Sequence, residues 1–287
     1  MKRIQMLVVA LAAAGLSARA DSSIDPAHPY AYGANIGWVN LRGDSATGVV
    51  VGAYACSGWA WSANCGWISF GNGPAGGVQY SQAAGDWGVN HNGAGSLSGY
   101  AYGANIGWIA FVPSRGNPSI NLLTGELSGH AWGANVGWIG FSNTHAVAKT
   151  LYLDPGPDTD GDGIPDAWEL LTTGSLTNLH GGGADWDGDG QSDVDEYLAD
   201  TGPGDPASQL AITDLTSSTN DVVHWTAQPT RLYRLEQSAA VTNDATWLDA
   251  GHGDIAPDQF PVMNRPAAVH PDPAQFFRVR ARVPLPP

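Results

Sequence analysis

The sequence predicts a mainly β chain in three blocks: an N-terminal domain of β repeats built as three-stranded meanders, a short acidic loop–helix connector, and a C-terminal antiparallel β-sandwich. Three observations predict it. A 12-residue motif of alternating aromatic and small residues recurs four times before residue 150. Fourteen of the 27 acidic residues crowd into residues 151–206, which hold no lysine or arginine. After residue 207, short apolar runs are punctuated by turn residues about every 8–12 positions, the rhythm of a small sandwich.

Residues 1–20 read as a removable export signal. Lys2 and Arg3 precede an apolar run from Met6 to Leu16, and Ala18-Arg19-Ala20 offers a small-residue cleavage site. The run is too short for a stop-transfer helix and no later stretch reaches 18 apolar residues, so no membrane span is expected. Its removal leaves nine basic residues against 27 acidic, a net charge of −18. Such a chain repels phosphate, which argues against a nucleic-acid partner. The expected location is secreted or cell-surface.

Residues 21–150 carry the repeats. The units are Tyr30-Ala-Tyr32-Gly-Ala-Asn35-Ile-Gly-Trp38-Val-Asn-Leu41, Trp59-Ala-Trp61-Ser-Ala-Asn64-Cys-Gly-Trp67-Ile-Ser-Phe70, Tyr100-Ala-Tyr102-Gly-Ala-Asn105-Ile-Gly-Trp108-Ile-Ala-Phe111 and His130-Ala-Trp132-Gly-Ala-Asn135-Val-Gly-Trp138-Ile-Gly-Phe141. Their last tryptophans lie 29, 41 and 30 residues apart. Alternation marks two strands, and the Asn-x-Gly turn supplies residues that tolerate left-handed backbone, so each unit predicts a hairpin. A five-residue loop sets Tyr32 against Trp38, Trp61 against Trp67, Tyr102 against Trp108 and Trp132 against Trp138. Ala60 then faces Ile68, and Gly58, Gly99 and Gly129 face Phe70, Phe111 and Phe141. A further apolar run precedes three of the hairpins, at 48–51, 87–90 and 118–121, and completes the meanders. Barrel, propeller and solenoid all remain open for their arrangement.

The aromatic face has two readings. A row formed by Trp38, Trp61, Trp67, Trp108, Trp132 and Trp138 could be a platform for sugar rings. Alternatively it is a second buried layer between sheets, which repetition in every unit favours. Asn35, Asn64, Asn105 and Asn135 read as turn residues bonding their own backbone. Cys56 and Cys65 are the two cysteines, and an exported setting favours a disulfide between them. Along a straight strand Cys56 lies five residues from Trp61, about 16 Å at ~3.3 Å per residue. A disulfide needs Cα atoms within ~7 Å, so the bond requires a bend near Gly58.

In residues 151–207 one loop is spelled twice: Asp158-Thr-Asp160-Gly-Asp162-Gly163-Ile164-Pro-Asp166-Ala-Trp-Glu169, and Asp185-Trp-Asp187-Gly-Asp189-Gly190-Gln191-Ser-Asp193-Val-Asp-Glu196. Carboxylates stand at positions 1, 3, 5 and 9, glycine at 6 and glutamate at 12. That spacing curls oxygen donors around a hard cation. Ile164 and Gln191 offer only backbone carbonyls, and Glu169 and Glu196 close the shell in bidentate fashion. Two calcium ions are therefore expected. Each loop runs into a short helix, from Asp166 to a stop at Gly174 and from Asp193 to a stop at Gly202, with Trp168, Leu170, Leu171, Tyr197 and Leu198 as a small core. Pro155, Pro157 and Gly181-Gly-Gly183 block any entering helix.

The duplication resembles the thrombospondin type 3-like calcium repeats of exported bacterial proteins, with EF-hand-type loops, and more distantly dockerins; the likeness covers residues 158–207. The aromatic units resemble motifs found in secreted bacterial surface proteins. The C-terminal stretch is similar to the sandwich that often follows such calcium repeats. Dockerins end the loop with aspartate, where this chain has glutamate.

In residues 208–287 the expected strands are 210–215, 222–226, 232–237, 246–248, 260–263 and 276–283. The last sets Phe277, Val279, Ala281 and Val283 on one face and Arg278, Arg280 and Arg282 on the other. Those arginines either solvate an edge or dock the acidic block or an anionic glycan. No nucleophile motif, zinc spacing or phosphate loop occurs, so the chain reads as non-enzymatic. The sequence thus points to an exported calcium-binding protein in cell-surface or extracellular-matrix interaction, its partner a glycan or a surface protein. The alternatives are a carbohydrate-binding protein using the aromatic face and a dockerin-like assembly module.

Overall fold

The computed structural model describes residues 22–43, 46–144, 147–217, 221–241, 246–267 and 276–287. The expected signal segment lies outside them. The chain is mainly β, and its N-terminal part closes into a β-barrel. Eight strands pair antiparallel in a ring: Ile24–Gly33, Gly37–Asn40, Cys56–Ser62, Gly66–Gly71, Leu97–Gly103, Gly107–Phe111, His130–Gly133 and Gly137–Gly140. The first strand closes the ring on the last, with Tyr32 opposite Gly140 and Gly33 opposite Ile139.

Within each hairpin the aromatic residues face each other, as in Trp61 with Trp67 and Tyr102 with Trp108. Ala60 faces Ile68 and Gly99 faces Phe111, whereas a bulge in the second hairpin turns Gly58 to Gly71 instead of Phe70. Between hairpins an aromatic always meets a smaller partner. Tyr32, Trp61, Tyr102 and Trp132 lie opposite Gly140, Asn40, Ser69 and Ala110.

Period-2 alternation decides which side chains fill the barrel. Ala31, Ala60, Ala101 and Ala131 point inward with Val39, Ile68, Ile109 and Ile139, all buried. The next layer is Leu41, Phe70, Phe111 and Phe141, in which Phe111 contacts Phe70 at 5.7 Å and Phe141 at 5.5 Å between ring centroids. Only about 20 Å³ of space remains between these layers, so the barrel is a packed core and not a pore. Below them the strand pairs made by Val50–Val51, Val89–His91, Ser119–Ile120 and Leu127–Ser128 add Val51, Cys56, Val89, Leu97, Ile120 and Leu127.

The four turn asparagines do not bond their own backbone. Each side-chain amide donates to the turn of the preceding hairpin: Asn64 to Ile36 O (3.0 Å), Asn105 to Cys65 O (3.1 Å), Asn135 to Ile106 O (3.1 Å) and Asn35 to Val136 O (3.1 Å). The cycle returns to its start and staples the ring shut. Local turn bonds such as Ile106 N–H to Gly103 O already serve the backbone, which frees the amides to reach across. Glycine after each asparagine pair takes φ between 71° and 79°, a conformation other residues resist.

The expected disulfide is absent: Cys56 and Cys65 are both free and buried. Cys56 pairs with Val51 at the start of the strand Cys56–Ser62, and Cys65 lies in the turn beyond its other end. The strand stays extended between them, which holds the sulfurs apart, and burial pushes the Cys56 thiol up to about 12.

The connector holds two seven-residue helices, Asp166–Thr172 and Asp193–Ala199. Its core is Ile164, Trp168 and Leu179, packed by Val194, Tyr197 and Tyr54 of the barrel domain. Leu171 and Leu198, expected in that core, are exposed instead. A two-turn helix has one inward stripe, and Ile164 and Leu179 take the remaining places.

C-terminally, Ile212–Ser217, Asp221–Thr226 and Val262–Pro266 form one antiparallel sheet; Leu248–Asp249, Leu232–Ser238 and Phe276–Arg282 form another. Val223, Trp225, Tyr233, Leu235 and Met263, all fully buried, belong to one cluster drawn from both. Arg278 pairs with Glu236 at 2.6 Å and lies over Trp247, and Arg282 pairs with Asp254 at 3.2 Å, so two of the three arginines are held within their own block. Among the described residues no helix is long and apolar enough to cross a membrane.

Candidate metal centre

The two acidic loops fold alike. In the first, Gly161 N–H donates to Asp158 Oδ1 at 2.8 Å and Gly163 N–H to Asp158 Oδ2 at 3.0 Å. In the second, Gly188 and Gly190 do the same to Asp185 at 2.7 and 2.9 Å. These bonds curl the chain around the first aspartate. They need left-handed glycines, and Gly163 and Gly190 have φ of 97° and 96°. Oxygens of Asp158, Asp160 and Asp162 then lie within 4.8 Å of one another, as do those of Asp185, Asp187 and Asp189.

Position 9 behaves differently from positions 1, 3 and 5. Asp166 accepts from Thr159 N–H at 2.7 Å, and Asp193 accepts from Trp186 N–H at 2.8 Å and His180 N–H at 2.9 Å. These carboxylates close the loop by hydrogen bonding. Ile164 N–H donates to Asp162 at 2.8 Å and Gln191 N–H to Asp189 at 2.7 Å, which tightens each loop around position 7.

Position 12 is buried in both loops. Glu169 and Glu196 are almost completely buried, 1% and 0% exposed. Both carboxylate oxygens of Glu169 lack any hydrogen-bond partner, and so does Oε2 of Glu196; Asp162 and Asp187 each hold one more orphaned oxygen. Burial first, and then neighbouring aspartates, push both glutamates up to about 7 and raise Asp162 and Asp187 as well. A buried, unpaired carboxylate is expensive. A divalent cation bound by all-oxygen donors would satisfy these atoms and reverse the repulsion. The residues present therefore fit a hard divalent metal.

Sequence reasoning missed the groups that fasten this centre to its surroundings. Trp168 Nε1–H donates to Asp200 Oδ1 at 2.7 Å, and Thr230 bonds the other oxygen. Arg231, 4% exposed, donates to Tyr197 O at 2.6 Å and Leu198 O at 3.1 Å, capping the second helix from the C-terminal block. Gln209 Nε2 donates to Asp189 Oδ2 at 2.8 Å. No spacing rule joins Asp200 to Arg231 across 31 positions, so only the fold reveals them.

The aromatic residues occupy the outside of the barrel. Trp38, Trp61, Trp67, Trp108, Trp132 and Trp138 are 40–49% exposed, which overturns the favoured buried layer. A barrel has one inside, and the alanine–isoleucine face fills it. The rings meet in pairs across each hairpin, 4.9–5.2 Å between centroids. Comparison of the chain with protein-family models, curated proteins and solved structures finds no match.

Proposed function

We propose that the chain is an exported, non-enzymatic calcium-binding protein of the cell surface or extracellular matrix, in which two calcium ions stiffen the connector. The barrel and the C-terminal sheets, read as a small sandwich, then keep a fixed relation while one of them engages a partner. The observation that carries this reading is the burial of Glu169 with both oxygens unpartnered, and of Glu196 with Oε2 unpartnered, each beside three aspartates. Calcium fits better than magnesium, which dehydrates reluctantly and prefers fewer protein carboxylates. Asp200 and Arg231 support the mechanical part, since ordering the second helix orders the contact with the C-terminal block.

The test is thermal melting and limited proteolysis of the full chain with millimolar calcium, with magnesium and with EGTA. Calcium raises the melting temperature and protects residues 158–200, and EGTA reverses both. No change on calcium addition would end the proposal. A second reading is favoured by the outward rings: the barrel exterior binds carbohydrate, with sugar faces stacked on tryptophan and tyrosine.

A further inference from the structure

The four-fold aromatic pattern is broken once. The longer gap before the third hairpin folds back over it and lays Trp87 against Trp108, centroids 5.0 Å apart and rings at 89°, and against Tyr102 at 6.0 Å. Together with Gln82, Ala83, Ala84 and Tyr100, the two tryptophans line a cavity of about 420 Å³, within the ~300–1,000 Å³ typical of small-ligand sites.

Resting on the carbohydrate reading above, we propose that this corner is the principal sugar subsite and takes a neutral pyranose ring. The lining residues offer aromatic faces and methyl groups for the C–H face of a sugar, and none is charged. Gln82 supplies the polar contact. Its φ is 63°, a strained value for a residue with a side chain. Its Nε2 donates to Gly88 O at 3.0 Å, while Oε1 is buried without any donor. A sugar hydroxyl provides that donor once the amide turns toward the cavity. A quaternary ammonium or a proline ring would stack on the same tryptophans but has no hydrogen to give. Asp86, next to Trp87 in the chain, accepts from Ala75 N–H, Ser81 N–H and Ser81 Oγ within its own loop and does not line the cavity. The net negative charge disfavours acidic sugars.

The experiment titrates the calcium-loaded full chain with cellohexaose, laminarihexaose and N-acetylchitohexaose, following tryptophan fluorescence and heat. Tetramethylammonium and a polyproline peptide are run alongside. One neutral hexasaccharide binds; Trp87→Ala weakens it at least about tenfold and Gln82→Leu several-fold, while Leu215→Ala, exposed on the C-terminal strand Ile212–Ser217, leaves it within about twofold. Near-UV dichroism of each variant checks that the barrel is intact, and the two substitutions fail independently. If none of the sugars binds, both the subsite and the carbohydrate reading fall. If a sugar binds and neither Trp87→Ala nor Gln82→Leu weakens it, the subsite falls and the reading survives. Binding of tetramethylammonium or polyproline in place of sugar overturns the pyranose assignment.

Discussion

Replacing Glu169 and Glu196 by glutamine separates a metal site from a merely acidic loop, because the two states of the protein should respond with opposite sign. Without metal, each buried glutamate titrates at about 7, against 4.5 for a free carboxylate. A raised value means that stability is fully present below the free value and is lost as pH rises through 7. At pH 8 the folded apo chain therefore carries two ionised carboxylates, each disfavoured by on the order of 3 kcal/mol. Glutamine keeps the shape and removes the charge. The apo form of Glu169→Gln should melt several degrees higher at pH 8, at roughly 2–4 °C per kcal/mol, and no higher at pH 4. The metal-loaded form should melt lower, since the bidentate ligand is gone. Calorimetric calcium titration should show a loss exceeding the ~10–100-fold typical of outer-shell changes. Differential scanning at both pH values with calcium and EGTA gives all four numbers. A variant that destabilises the apo form at pH 8 and leaves calcium binding intact would refute the reasoning, because the glutamate would then be serving the fold and not an ion.

Other outcomes follow from the same geometry. Metal uptake should release protons near pH 6 and strengthen between pH 5 and 8, because the raised Glu169 and Glu196 must ionise to bind; buffer-dependent calorimetric heats measure this, and a flat profile contradicts it. Gly181→Ala should weaken the first site selectively and cost about 1–3 kcal/mol, since a methyl there collides with the Asp162 carbonyl; calcium titration of the Glu196→Gln background isolates that site. Asn105→Ala should cost about 1 kcal/mol in denaturant unfolding by cutting one staple between hairpins, and Asn64→Ala the same, with Trp67 and Trp108 reporting by fluorescence.

The turn spacing in each aromatic unit dictates the facing of Trp61 and Trp67, because hairpin register depends only on a short stretch of chain. The positions of the loop aspartates are equally local, since a 12-residue curl needs its glycine at 6 wherever it sits. The burial of Glu169 depends on more. The helix that carries it is held by Trp168, whose indole bonds Asp200 just past the other connector helix, and nothing in the acidic run predicts that the position-12 oxygens are shielded from water.

The sequence by itself determined the hairpins, the duplicated acidic loop and the inward alternation of alanine with isoleucine. Only the tertiary structure decided that the four hairpins close into a ring, that the asparagines reach across instead of back, and that the tryptophans face outward. The physical reason is that closure is a property of all four units together. Once Tyr32 pairs with Gly140, one face of every strand becomes the inside, and it is already full. Among the described residues no second sheet covers the opposite face, and the extended strand that starts at Cys56 leaves Cys65 in the turn beyond its far end.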